Sequence, residues 1–429
     1  MHILSESSVS VNSTVGGCLP LSRQGEGLVA PDGPPDTITP DFSGYRDWLL
    51  KMPENERYID AENVFESPLG KDSEIVQPPP PVSNEIKDLR KEGNRWGLLG
   101  AVKVIGGNAP AWKRLSHCHA TMISGSVSVN RHIETGHMHF GNLATCGSVW
   151  ACPVCAPKIT ERRRTELIEA LKAADDLGLR PYMLTLTAPH NKGDRLEDCV
   201  NLVSSARRTM RNRKGWKRLS IQSGIMGSIR SLEVTWGNNG WHVHTHEILF
   251  LKKEAMPMDE EKVLSLWQSA CVSVGLQMPN EHGVDIAVGN LKVGEYVSKW
   301  GLESEMTKSM IKRGSNESST PWDILGAFAV TGDEDYADLF REYANCFRGR
   351  HQLEWSKGLR DRLGLGVEKS DEEIAAERIE NCAVVCFIGR SDWKHILRHE
   401  LRAQVLEAAT LGGHEGVLAF VQGMHGDTT

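Results

Sequence analysis

Three histidines at alternate positions, His242, His244 and His246 in GWHVHTHEILF (240–250), are the sharpest chemical feature of the sequence. Alternate residues of a β-strand face one way, and Trp241, Ile248 and Phe250 give the run the apolar content of a half-buried strand. One histidine on such a face is ordinarily a hydrogen-bonded core residue. Three in register are a row of imidazoles, the commonest metal ligand. GNNG (237–240) before them is a hairpin signal. With a loop of two or four residues within that stretch, facing positions sum to 477 and Glu233 lies opposite His244. With Asn239-Gly240 as the loop they sum to 479 and Glu233 lies opposite His246. Only a three-residue bulged loop would remove Glu233 from the histidine face. Opposed Cβ atoms are about 5 Å apart, close enough to share a cation. His244, His246 and Glu233, with His242 alongside, are therefore candidate ligands for Mg2+ or Mn2+ with positions left open for substrate oxygen, since a closed zinc site takes four protein ligands.

A second cluster reads differently. Cys146, Cys152 and Cys155 are too dense for chance. Three cysteines without a thioredoxin pattern point to Zn2+ in a reducing compartment rather than to a redox pair, which makes the cytoplasm the expected location. Cys118 is the expected fourth ligand, with His117, His119, His137 and His139 as rivals. Cys18, Cys199, Cys271, Cys346, Cys382 and Cys386 read as core or incidental.

Tyr296, in EYVSKW, is one of only six tyrosines, and Lys299 lies one helical turn further on. An isolated Tyr-x-x-Lys is ordinarily a surface helix with its ring on a sheet. A phenol becomes a nucleophile when a neighbouring cation compensates its charge, and Lys299 supplies one.

The net charge of −7 does not advertise nucleic acid, but its distribution does. The first ninety or so residues are acidic, while residues 158–218 are basic and culminate in RRTMRNRKGWKR (207–218). Such a run is often only a solvated helix face. A ring among cations suits a nucleic-acid strand, so Arg207, Arg208, Arg211, Arg213, Lys214 and Trp216 are candidate DNA contacts. Arg162, Arg163 and Arg164, just after the cysteines, are candidates for phosphate binding or equally a solvated helix face.

The elements that would carry these residues run as a β-ribbon (124–130 and 136–141), a helix (156–178), a strand (181–187), a helix (195–213), strands at 225–236 and 241–251, a helix (259–275), a strand (283–288) and a helix from 289. The six elements from 181 match a split β-α-β-β-α-β motif, an α+β fold with one antiparallel sheet backed by helices on one face. Residues 1–95 read as an acidic, Pro-rich, mostly disordered leader with a short helix at 43–51. Residues 96–160 read as the ribbon and zinc-binding unit, 161–302 as the catalytic domain, 303–365 as its helical extension, and 366–429 as a C-terminal helical region. No apolar run is long enough to span a membrane, and the N-terminus lacks the pattern of a signal peptide. The metallo-β-lactamase pattern needs Asp-His where Glu247-Ile248 stands. Amidohydrolase barrels need continuous strand–helix alternation, and cupins need more strands.

Taken together, YMLTLT, GWHVHTHEILF and EYVSKW resemble, in order and spacing, the three motifs of HUH rolling-circle replication initiators. TCGSVWACPVCAPKITERRR and REYANCFRGRHQLEWSKGLRDRLGLG also resemble the bacterial plasmid Rep family, so the likeness covers about 96–365. It implies the HUH-endonuclease fold and a nickase that cleaves one strand at a replication origin. In that likeness His244 and His246 match the metal pair, Glu233 a third ligand and Tyr296 the nucleophile, giving a 5′-phosphotyrosine and a free 3′-hydroxyl primer. His242 belongs to the motif, and His190 falls where the family often has histidine. The implied partners are origin DNA, single-stranded or as a hairpin, a host helicase and DNA polymerase, and a second copy as a homodimer. One departure touches termination: where some relatives carry an acid four residues before the tyrosine, Lys292 stands, and Glu295 and Glu303 are off that position. The same chemistry would serve a mobilisation relaxase or transposase. A zinc-containing DNA-binding regulator would need no intact tyrosine and histidines.

Overall fold

In a computed structural model of the chain, residues 79–83, 95–288 and 318–426 are described. Tyr296 and Lys299 lie outside them, as do Lys292, Glu295, Glu303, the helix expected from 289 and the short helix expected at 43–51. No helix among the described residues is long and apolar enough to cross a membrane.

The first described helices are α1 (Arg95–Gly106) and the single turn α2 (Lys113–Ser116). The ribbon forms as expected, β1 (Val127–His132) pairing antiparallel with β2 (Met138–Gly141). Helix α3 (Cys155–Asp176) tolerates Pro157 because it falls in the first turn, where backbone N–H groups have no helical partner. It buries Ile159, Leu167, Ala170, Leu171 and Ala174, an apolar stripe at helical spacing.

Next come β3 (Leu179–Thr187), α4 (Leu196–Asn212), α5 (Lys214–Gln222), β4 (Ile225–Gly237), β5 (Gly240–Lys252), α6 (Glu260–Ser273) and β6 (Val284–Val288). The sheet order is β6-β3-β5-β4, antiparallel throughout, the arrangement of a split β-α-β-β-α-β unit. The far edge gains β7 (Ser318–Ser319) beside β4, and β8 (Glu354–Trp355) pairs with another part of β4.

The chain continues through α7 (Pro321–Thr331), α8 (Glu334–Phe347), α9 (Leu359–Arg362) and α10 (Asp371–Ala376). A capping box between Thr320 and Asp323, followed by Pro321, starts α7. Strand β9 (Cys382–Ile388) then pairs with β1 to make a second sheet of order β2-β1-β9, and α11 (Arg390–Arg398) and α12 (Arg402–Gly426) follow.

The sheet is covered on both faces, which corrects the expectation of helices on one. On one face Leu184, Leu186, Val243 and Leu249 join the main core with Val200, Val203 and Met210 of α4 and Trp267 of α6. On the other, Met183, Ile229, Ile248 and Phe250 pack with Leu167 and Leu171 of α3 and with Leu353, Leu359 and Leu363. The split motif has no place for a helix before its first strand, so α3 could not be assigned to a face from the motif. Helix α3 runs unbroken from Cys155 to Asp176, and β9 ties the region after 366 to the ribbon.

Candidate functional site

The hairpin loop has two residues, with Gly237 paired to Gly240, so facing positions sum to 477 and Glu233 lies opposite His244. Gly240 closes the turn at φ +86°, and a Cβ there would stand 3.1 Å from the carbonyl oxygens of both Asn191 and Lys192. Only glycine lets the loop after β3 lie that close. The same loop brings His190 to the row, its Nδ1 at 2.9 Å from the Asn239 carbonyl.

Four imidazoles line up along this edge. Ring centroids are 4.8 Å apart for His190–His242, 3.9 Å for His242–His244 and 6.0 Å for His244–His246. His242 and His244 are half-buried and His246 is 7% exposed. Helix α3 and the 353–363 segment pack on the Ile248–Phe250 end of this face and leave the histidine end to the site. His246 is fixed at both nitrogens, Nδ1 at 3.2 Å from Thr185 Oγ1 and Nε2 at 2.9 Å from Glu233 Oε2. Burial, reinforced by His190 and opposed by Glu233, pushes His242 down to about 4, so its ring is neutral at pH 7 with a lone pair to offer.

The donor set suits a hard or borderline divalent cation. Two ligands at about 2.1 Å in adjacent octahedral positions stand about 3.0 Å apart, close to the 2.9 Å between His246 Nε2 and Glu233 Oε2. The row is nonetheless spread along the strand. Among the described residues, the one group of three or more ligand-type side chains whose donor atoms all lie within 4.8 Å is the cysteine cluster.

That cluster consists of Cys118, Cys146, Cys152 and Cys155, all buried. Cys118 Sγ is 3.6 Å from the sulfurs of Cys152 and Cys155, and Cys146 Sγ is 3.8 Å from that of Cys155. Thiolates at about 2.3 Å around a tetrahedral zinc stand about 3.8 Å apart, so the cage has the size of a structural zinc site and the group could bind such a metal. Backbone N–H groups of Ser148 and Cys155 point at the sulfurs of Cys146 and Cys152, at 3.4 and 3.3 Å. Hydrogen bonds from Cys118, Cys146 and Cys152 hold the Cys155 thiol far below its usual range. A hydrogen bond with Cys118 raises Cys146, and burial raises Cys152. A cation is what would let all four ionise together.

The expected DNA contacts divide. Trp216 is 3% exposed and packs under the Arg211 guanidinium at 4.4 Å; a base can stack only on an open ring, so Trp216 is corrected to a core residue. Arg207 and Arg211 both pair with Glu247, a fully buried carboxylate on the sheet face opposite the histidines. Burial alone would raise the Glu247 carboxyl, but Arg211 and Arg207 outweigh it and hold it down to about 2. Arg213 donates to Ser269 of α6, 3.0 Å to its carbonyl. Arg208 and Lys214 are exposed.

Arg163, 2% exposed, is likewise corrected. It sits among Glu166, Glu368 and Asp371 and bonds the Lys369 carbonyl at 2.8 Å, pinning α3 to the segment before α10. Arg164 pairs with Glu161, and Arg162, exposed, lies 3.8 Å from Glu166. Sequence reasoning missed Glu247 and this carboxylate nest. For Glu247 a signal was present, since its position one residue out of the histidine register puts it on the opposite face, beneath a basic helix.

The site therefore combines an antiparallel sheet with a histidine–carboxylate row on one face, a helix with a basic C-terminal end on the other and a separate four-cysteine centre. The replication protein family model matches residues 139–358, and the chain belongs to that family. The resemblance to bacterial plasmid Rep proteins is thereby borne out. Protein rep of Streptomyces lividans is 26% identical over 293 residues, covering 52% of this chain and 64% of that protein. A neomycin resistance protein of Streptomyces cyanogenus is 33% identical over 134 residues, covering 25% of this chain and 31% of it. The chain thus spans less than two thirds of either relative. No solved structure matches.

Proposed function

We propose that the protein initiates rolling-circle replication of a plasmid, nicking one DNA strand at the origin and rejoining it at termination. The observation that carries the reading is the hairpin, which sets Glu233 opposite His244 and 2.9 Å from His246 on a sheet face beside the histidine row, in a chain of the replication protein family.

In this reading His244, His246 and Glu233 hold Mg2+ or Mn2+, with His242 beside them. The bound cation supplies withdrawal of charge from the scissile phosphate. The Tyr296 oxygen attacks phosphorus in line, and the bond to the 3′ oxygen breaks. That oxygen takes up a proton and becomes the primer hydroxyl, while Tyr296 stays joined to the 5′ phosphate. Lys299 compensates the phenolate charge before attack. The ester conserves the bond, so a 3′-hydroxyl can attack it in reverse and restore the strand. The target is single-stranded or extruded DNA, because a duplex hides the geometry of in-line attack. Arg162, Arg208 and Lys214 remain candidate phosphate contacts. A host helicase and polymerase would extend the primer, and a homodimer would supply a second tyrosine.

Incubating the protein and Mn2+ with labelled single-stranded DNA tiled across its own replicon tests the reading. A nick at one site with a covalent protein–DNA adduct is expected. Absence of any adduct across all tiles would overturn it.

A further inference from the structure

The charge of the chain is partitioned with unusual sharpness. Residues 1–78 contain 13 acidic and five basic side chains, net −8, whereas residues 79–429 contain 43 acidic and 44 basic, net +1. The net negative charge of the chain therefore belongs to its first 78 residues.

The point where the leader joins the fold is fixed. Val82 is 1% exposed and its N–H donates to Ser319 Oγ at 2.8 Å. The Pro79 carbonyl accepts from Trp236 Nε1 at 2.9 Å. Both partners lie where β4 meets β7, Trp236 being paired with Ser319 itself. Residues 79–83 are thus a strap across one edge of the sheet, and the leader begins at that edge.

Across α4 and α5 the charges separate. The first turn of α4 carries Glu197 and Asp198. Ten residues on, about 15 Å along the axis, Arg208 is exposed, and Lys214, Lys217 and Arg218 follow on α5. Unlike Arg207 and Arg211, which Glu247 neutralises, these four pair with no carboxylate among the described residues. Among the described residues they are a cationic surface without carboxylate partners, tethered to a segment, 40–78, that carries nine acidic and four basic side chains. Residues 40–78 can extend on the order of 130 Å, so reach sets no limit, and a tether keeps the local concentration of this segment high.

We propose that the α4–α5 cationic surface binds residues 40–78 of the protein's own acidic leader, which compete there with DNA phosphates. The proposal rests on the DNA-binding part of the function given above. Each leader carboxylate takes the place of a phosphate at a cation, so DNA must displace the leader in order to bind. The contact is electrostatic and weakens as salt screens it, over a Debye length of about 10 Å at 0.1 M.

The test uses the full chain. Zero-length carbodiimide coupling without DNA is expected to join leader carboxylates to Lys214 or Lys217, mapped by mass spectrometry, and added single-stranded DNA should abolish those links. Neutralising the six acids from Asp41 to Glu62 (Asp→Asn, Glu→Gln) should tighten DNA binding on the order of ten-fold at low salt, with the gain vanishing as salt rises. Links absent, links elsewhere, links that DNA leaves unchanged, or unaltered affinity of the neutralised chain would each overturn the proposal. None of these readouts involves a nick, so a protein that binds DNA without cleaving it would sink the nickase reading and leave this one standing.

Discussion

Glu233 faces His244 across the hairpin but bonds to His246, two residues further along β5. The diagonal contact gathers on one carboxylate two histidines that the strand holds apart. If this is the metal centre, Glu233→Gln and His246→Ala should each abolish nicking and weaken Mn2+ binding measured by calorimetry. Affinity for single-stranded DNA should change little, since these groups hold the ion and not the strand. Nicking that persists in His244→Ala/His246→Ala with chelator present would remove the ion from the mechanism.

Tyr296→Phe should bind origin DNA about normally yet form neither adduct nor nick, because hydrolysis by activated water would need no tyrosine. Lys299→Ala should slow the step by a few kcal/mol or less, as for loss of one charge-assisted contact. A wild-type adduct that peptide mapping assigns to Tyr182 or Tyr336 would count against the assignment.

Cys152→Ser, or a chelator strong enough to strip zinc, should lower the melting temperature, and elemental analysis should find one zinc per wild-type chain. Because β9 pairs with β1, hydrogen exchange should rise in residues 382–388 along with the ribbon. Protein purified without zinc but equally stable would show the cage to be only a thiol cluster.

Trp216→Ala should cost about 3–5 kcal/mol of stability, the penalty for emptying an aromatic core site. It should leave the salt dependence of DNA binding unchanged. Lys214→Gln should do the opposite: near-native stability by denaturant titration, and a salt slope reduced by about one counterion.

Glu247→Gln leaves two arginines over an uncharged partner and should destabilise the fold by about 3–5 kcal/mol near neutral pH. The carboxyl lies at about 2 in the fold against an ordinary 4.5, so its contribution is present above 4.5 and is lost as pH falls toward 2. The stability gap between wild type and variant should therefore narrow through that window, as seen in urea melts at stepped pH.

Much of this was legible in the sequence because period-2 patterning and a tight turn leave few choices. GNNG restricts Glu233 to the histidine face for every loop but a three-residue bulge, and the ribbon between Cys118 and Cys146 implies that Cys118 returns to the cluster. The basic run was the opposite case. RRTMRNRKGWKR runs across the break between α4 and α5, and Arg207, Arg208 and Arg211 lie within about 100° of one another on α4, so nothing local distinguishes Arg208, exposed, from Arg211, which is held against Glu247. Trp216 looked like a stacking ring because its burial depends on helix packing that is remote in sequence. The pairing of β9 with β1 joins residues about 255 positions apart, beyond the reach of any local pattern.

Helix α3 has 22 residues, beginning at Cys155 and ending at Asp176, a rod of about 33 Å. Its first residue is a corner of the cysteine cage, and its later turns lie on the sheet under Ile248 and Phe250. Cage and histidine strand are thus bolted to opposite ends of one strut, and neither can swing against the other as a hinged jaw would. If the histidines hold a DNA strand as proposed, that strand would have to bend itself to a rigid anvil.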